Sequence, residues 1–184
     1  MSLVTDLNEA FAPWAAGLST KEVEALRWYQ GKSHESLNRV LRVPDCEITD
    51  EQSETVRGVT RLLDAAIAAG RLPFEVRAYR GLRDYGALFG DAHPEDLPGA
   101  VIHDPAFVST SVLAHRADRF VDQNQGFRLD FNVPIGHPAA WLPSVGVRKM
   151  ESQRELLLPR GVEIEIVGSY TKEGILYVEG GIIE

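Results

Sequence analysis

Two periods of hydrophobic spacing divide the chain. Through residue 70, apolar side chains recur at three- and four-residue intervals: Val4, Leu7 and Phe11; Val23, Leu26 and Tyr29; Leu37, Val40 and Leu41; then Val56, Val59, Leu62, Leu63, Ala66 and Ile67. This spacing lays one apolar stripe along each segment and predicts three or four amphipathic helices. Ser19 with Glu22 has the pattern of a capping box, Gly31 and Gly70 stand where helices would stop, and Pro44 closes a third segment. From residue 74 the period becomes two. Phe74, Val76 and Ala78 alternate with Glu75, Arg77 and Tyr79, and Phe127, Leu129, Phe131 and Val133 with Arg128, Asp130 and Asn132. Further strands are predicted at 155–158, 162–167 and 175–183, the last after a Lys172-Glu173-Gly174 turn, with one short helix at about 113–122. Helices first and strands later predict an α+β domain with a mostly antiparallel sheet.

Polar groups interrupt this pattern at one informative place. Glu151-Ser152-Gln153-Arg154-Glu155 runs directly into Leu156-Leu157-Leu158-Pro159. In a strand, alternate side chains share a face, so Gln153 and Glu155 are expected to point inward with Leu157. An unpaired carboxylate is costly there unless it is used.

Composition narrows the function classes. With 184 residues and 44% hydrophobic content, the chain is read as one domain, 1–184, helical over 1–70 and strand-rich over 71–184. A net charge of −8 without clustered Lys and Arg argues against a nucleic-acid partner and against an anionic membrane surface. The sequence contains neither an apolar run long enough to span a bilayer nor a signal-peptide pattern, so a soluble protein is expected. Cys46 is unique and reads as an ordinary thiol. None of His34, His93, His103, His115 and His137 lies at ligand spacing to another, so no metal is expected.

Three strand-associated sites remain. Arg80 continues the inward face of Val76 and Ala78 and precedes Gly81, which would let a ligand approach the backbone. Phe107-Val108-Ser109-Thr110-Ser111 ends a short apolar run in hydroxyls, and Gln153-Arg154-Glu155 opens the next strand. Taken singly, these also read as a solvent-facing arginine, a strand end leading to a helix cap, and an exposed loop carboxylate.

Together, Tyr79-Arg80-Gly81, Phe107-Val108-Ser109-Thr110-Ser111 and Gln153-Arg154-Glu155-Leu156-Leu157-Leu158-Pro159 resemble the Arg, Ser-Thr-Ser and Gln/Glu-x-Glu signature of the mono-ADP-ribosyltransferase toxins. The branch resembled includes C3-like and binary-toxin-like exoenzymes. Upstream, Trp28-Tyr29-Gln30-Gly31 and Leu37-Asn38-Arg39-Val40-Leu41-Arg42 are similar to that branch's helical NAD-contact segment, so the likeness covers roughly residues 18–170.

The resemblance implies a two-sheet catalytic core with a central NAD cleft, behind the N-terminal helices. It implies NAD as co-substrate, a protein substrate, and a bacterial or phage toxin that is secreted, injected or acts in a host cell. Glu155 would be the catalytic carboxylate, since in the family that residue directly precedes the aliphatic strand ending in proline, which excludes Glu151. Ser109 would orient Glu155 and touch the nicotinamide ribose, with Thr110 and Ser111 maintaining the strand. Arg80 would bind phosphate and Gly81 the nicotinamide amide through its backbone. Asn38 and Arg42 would contact the phosphates and adenosine side, with Tyr29 packed nearby and Phe120 against the nicotinamide.

One position departs from the pattern: relatives carry an arginine where Gln123 stands, and Arg116 or Arg119 are the substitutes at hand. The segment from Gly136 to Arg154 is similar to the family's substrate-recognition loop, with Trp141 and Met150 as candidates for touching a protein target or as core. Gln153, in place of a glutamate, points to an asparagine-like acceptor rather than arginine, because a neutral amide can hydrogen-bond an amide acceptor. An NAD glycohydrolase, or a non-catalytic NAD-binding or interaction domain of the same fold, stands as the alternative.

Overall fold

The computed structural model describes residues 2–43, 45–122 and 124–183, without the side chains of Lys32 and Ala87. The helix-closing Pro44 and the departing loop position Gln123 lie outside the described residues. Four helices open the chain: α1, Leu3–Gly17; α2, Thr20–Trp28; α3, His34–Arg42; and α4, Asp50–Ala69. Both halves of the Ser19–Glu22 capping box are made, and α4 starts on a second one formed by Thr49 and Gln52. Gly70 caps α4, whereas Gly31 sits inside a kinked turn, Tyr29–Ser33, that joins α2 to α3.

Among the described residues, eight strands follow. They are β1, Val76–Leu82; β2, Val101–Asp104; β3, Val108–Ser111; β4, Phe127–Val133; β5, Ala140–Trp141; β6, Glu155–Leu158; β7, Val162–Lys172; and β8, Ile175–Ile182. Two short helices, α5 (Gly86–Phe89) and α6 (Ala114–Ala117), interrupt them, and a 3-10 turn, Asp118–Phe120, continues α6. The strands form one ladder in the order β2-β7-β8-β4-β1-β3-β6-β5. The expectation of two antiparallel sheets is therefore corrected: the ladder is continuous, and β4 pairs with β8 in parallel. Its narrowest joint is between β1 and β3, where the register is the single pair Tyr79↔Ser111. Strands β2 and β5 had no period-two signature, being four and two residues long.

Two apolar cores hold these parts together. One gathers Leu7 and Phe11 of α1 with Ala78, Leu129, Phe131, Ile164 and Val178 of the sheet; the other gathers Leu26, Leu37, Leu63 and Ile67 of the helices with Phe107 and Leu157. Strand β6 runs between them, with Leu156 and Leu158 in the first core and Leu157 in the second. Side-chain alternation then puts Glu155 on the Leu157 face, toward the helices.

Of the two readings of Trp141, its place in this packing takes the core one and removes the target contact. It is fully buried in the first core, and its indole N–H donates to Asn8 Oδ1 at 2.7 Å, tying β5 to α1. A side chain with no exposed surface has nothing to present to a protein target. Met150 is half-buried on the turn Arg148–Gln153.

Candidate active site

Glu155 begins β6 and is 6% exposed. Two donors hold its carboxylate: Ser109 Oγ–H reaches Oε1 at 2.5 Å, and Gln30 Nε2–H reaches Oε2 at 3.0 Å. Burial pushes the carboxyl pKa above its ordinary value, against the two hydrogen bonds and the nearby His34, which favour the ionised form. None of the ion pairs among the described residues includes Glu155.

The strand beside it is sewn to β6 by hydroxyls. Register pairs Ser111 with Glu155 and Ser109 with Leu157. Thr110 Oγ1 donates to the Leu156 carbonyl at 2.7 Å, and Ser111 Oγ donates to the Gln153 carbonyl, also at 2.7 Å. Gln153 is not on the strand. It ends the 3-10 turn Arg148–Gln153, and Arg154 takes a left-handed backbone (φ 51°) before β6 begins. The expected alternation of Gln153 with Glu155 is thus corrected, because a left-handed residue between them breaks the pleat. Gln153 nonetheless lines the same cavity as Glu155.

An arginine pair forms the other wall, around a carboxylate that sequence reasoning missed. Arg42, at the end of α3, grips Asp104 with two bonds: Nε to Oδ1 at 3.0 Å and Nη2 to Oδ2 at 2.8 Å. Arg80 Nη1 reaches the same Oδ2 at 3.2 Å. The side chains of Arg80 and Asp104 are 15% and 14% exposed, so this is a charge cluster at the edge of the interior rather than a surface pair. Burial alone would raise the Asp104 pKa, but the Arg42 hydrogen bonds and the charges of both arginines outweigh it and hold the carboxyl below its ordinary value. Burial lowers the Arg80 pKa, and Asp104 opposes that shift. Behind them, Asn38 Nδ2 donates to the Tyr29 hydroxyl at 2.9 Å, while buried Asn38 Oδ1 has no protein partner.

Gly81 carries a packing constraint besides the one expected. A Cβ there would stand 2.1 Å from the Ala117 carbonyl oxygen and 2.9 Å from Phe120 Cβ, so α6 and the turn after it crowd this backbone on its Cβ side. Gly81→Ala must push α6 off β1. Since overpacking of this kind costs about 1–3 kcal/mol, a lower unfolding midpoint in urea is expected, and an unchanged midpoint would show that α6 moves freely. Phe120 is 47% exposed beside it, and the Arg116 Nε is buried without a protein partner.

These groups line one cavity of about 210 Å³: Arg42, Arg80, Ser109, Glu155, Asn38, Gly81, Thr110, Ser111, Phe120, Gln153, Arg116 and His34 all face it. Tyr29 lies behind the wall, fully buried, and Arg119 is exposed. Gln30, Asp104 and His34 were not singled out from sequence. Among the described residues, no group of three or more His, Cys, Asp or Glu could hold a metal ion.

Comparison with known proteins fits this geometry. The family described as ADP-ribosyltransferase exoenzyme matches residues 7–179. The chain is 27% identical over 180 residues to the NAD(+)–arginine ADP-ribosyltransferase EFV of Enterococcus faecalis, covering 94% of this chain and 34% of that protein. It thus spans about a third of the length of the curated relative it matches. Two solved structures share the fold: Plx2a, an ADP-ribosyltransferase toxin from Paenibacillus larvae, with a TM-score of 0.78 at 18% identity over 98% of this chain and 95% of that one; and C3stau2 from S. aureus with NAD, with a TM-score of 0.76 at 18% identity over 100% and 97%. With the profile match running through nearly the whole sequence and across every wall of the cavity, the chain belongs to the ADP-ribosyltransferase exoenzyme family.

Proposed function

We propose that the protein is a mono-ADP-ribosyltransferase that moves ADP-ribose from NAD to a protein side chain and releases nicotinamide. The observation that carries this reading is a buried carboxylate, Glu155, fixed by Ser109 and Gln30 in a cavity whose facing wall holds Arg42 and Arg80. The reaction breaks the bond between ribose C1′ and the nicotinamide nitrogen. Its electron pair leaves with nicotinamide, and positive charge builds on the ribose. A preplaced carboxylate stabilises that charge more in the transition state than in the ground state. The acceptor nitrogen then bonds to C1′ and gives up a proton.

In this reading Arg80 and Arg42 take the diphosphate, and Arg116, with a buried and unpartnered Nε, supplies the cation that position 123 lacks. Asn38 Oδ1 is free to accept from the adenosine side, Tyr29 supports Asn38, and Phe120 covers the nicotinamide. Gly81 offers its backbone to the nicotinamide amide, while Thr110 and Ser111 fix the strand. Gln153 and Met150 meet the protein substrate.

The acceptor proposed is asparagine-like. Gln153 is neutral, so it offers a guanidinium no charge, and the one carboxylate on its turn, Glu151, is already paired with Arg154 at 3.1 Å. Arginine is the second reading, favoured by the name of the 27% identical relative. Labelled NAD, lysate proteins and the arginine analogue agmatine separate the readings. Label should enter protein and not agmatine, and Glu155→Ala should lose it. Label in agmatine would turn the assignment to arginine, and nicotinamide release without label would indicate a glycohydrolase. Kinship with the exoenzymes supports a secreted, injected or phage-borne toxin. Among the described residues, no helix is long and apolar enough to cross a membrane.

A further inference from the structure

Gln30 lies on the kinked turn between α2 and α3 and is 4% exposed. Both ends of its amide are engaged. Nε2 donates to Glu155 Oε2 at 3.0 Å, while Oε1 accepts the backbone N–H of Val147 at 2.6 Å. The two partners fix the amide's orientation: turned over, its N–H would meet the Val147 N–H and its oxygen would meet a carboxylate. Gly146 adds a second constraint, since a Cβ there would come within 2.3 Å of Gln30 Oε1. The segment bearing Gly146 and Val147 is itself pinned to α2, where Arg27 Nε donates to the Val145 carbonyl at 2.9 Å. It then continues directly into the turn Arg148–Gln153.

We infer that Gln30 is a positioning residue that sets the orientation of the Glu155 carboxylate and couples it to the segment leading to Gln153. The inference rests on Glu155 being the catalytic carboxylate. A carboxylate held by Ser109 alone keeps one oxygen fixed and leaves the other without a donor inside a buried site, which disfavours its ionised form. The charged and titratable groups around it are Tyr29 on the same turn as Gln30, His34 and Glu35 at the start of α3, and Arg80, Arg42, Arg116 and Tyr79 in the same cavity. Among the described residues none of these replaces the Gln30 bond: Ser109 is the other hydrogen-bond donor to Glu155. Displacement of the Val145–Val147 segment when a protein substrate binds would reach Glu155 through one side chain.

The test is nicotinamide release from NAD by wild type, Gln30→Met and Gln30→Glu, with kcat and KM followed across pH and melting temperature measured alongside. A wild type that releases no nicotinamide sinks the transferase reading itself, before Gln30 is at issue. Given turnover, Gln30→Met should lower kcat about ten- to a hundredfold, the range for losing a hydrogen bond to a charged group, and move the acid limb of kcat to higher pH. KM for NAD should stay within about twofold, because the bond is not made to NAD. Gln30→Glu keeps an acceptor for Val147 and nearly the same volume but sets a second carboxyl against the first, so its acid limb should move further the same way. If kcat and the limb stay at wild-type values while only the melting temperature falls, Gln30 is a packing residue and the inference is overturned. Should the Met variant fail to fold, the Glu variant decides.

Discussion

Glu155→Gln should slow nicotinamide release by about 10²–10³ while NAD still binds, the loss that follows removal of one electrostatic contact used in the transition state. The same variant should resist heat better than wild type at neutral pH. Burial raises the Glu155 pKa, so the folded protein holds this proton more readily than the unfolded chain does. The stability that comes with the protonated form is present in full below the unfolded pKa and is lost as pH rises through the folded one. At neutral pH the ionised group therefore costs stability, and a neutral amide removes that cost. Gln30 can go on donating to the remaining oxygen, and the Ser109 hydroxyl can turn to accept from the new N–H. Melting curves against pH check this: the variant should lead at neutral pH, and the two curves should meet in acid. A variant that melts lower at neutral pH would mean that the two hydrogen bonds outweigh desolvation. In wild type, activity should fall with acid at a pH above the usual carboxylate range of about 4.

The second large effect is expected at Asp104. Asp104→Asn leaves Arg80 and Arg42 facing each other with no anion between them, and breaking a buried pair in this way costs about 3–5 kcal/mol. Arg42 is 38% exposed and can turn to water, so the lower end, about 3 kcal/mol, is expected in urea unfolding of the free protein. NAD should then stabilise the variant more than it stabilises wild type, because its phosphates bring charge that the cluster lacks. The carboxyl pKa is depressed in the fold, so the contribution of Asp104 exists above its unfolded pKa and disappears as pH falls through the folded value. Wild type and variant should converge in acid. Equal unfolding midpoints at neutral pH would show that the pair adds nothing to the fold.

How far the sequence discloses this site depends on where each partner sits in the chain. Arg80, Ser109 and Glu155 announce themselves because each stands in a short local pattern, and the strands that carry them alternate over enough residues to be seen. Asp104 has no such context, and the Trp28-Tyr29-Gln30-Gly31 segment does not mark Gln30 as a partner of Glu155. Gln30 meets Glu155 across 125 positions and Arg42 meets Asp104 across 62, so only the folded chain brings them together. Asp104 also ends β2, a strand of four residues, too short for a period to emerge. Trp141 could not be decided from sequence for the same reason: its indole N–H finds Asn8 across 133 positions, and that partner lets it sink into the core. Gln153 misleads because nothing in Gln-Arg-Glu marks the left-handed turn at Arg154. Gly81 is conspicuous, but what fills the space above it is α6, which periodicity alone does not place.

The joint between β1 and β3 bears on how the molecule yields. One register pair, Tyr79↔Ser111, is the whole backbone connection there, whereas β1 and β4 share seven. Arg80 stands on one side of that joint and Ser109 and Glu155 on the other. On the proposed function, a dinucleotide held by all three would span the narrowest joint of the sheet, and parting the strands would require releasing it first. Bound NAD would act as a rivet across a seam, and local breathing at that seam and occupancy of the cavity would be competing states of one equilibrium.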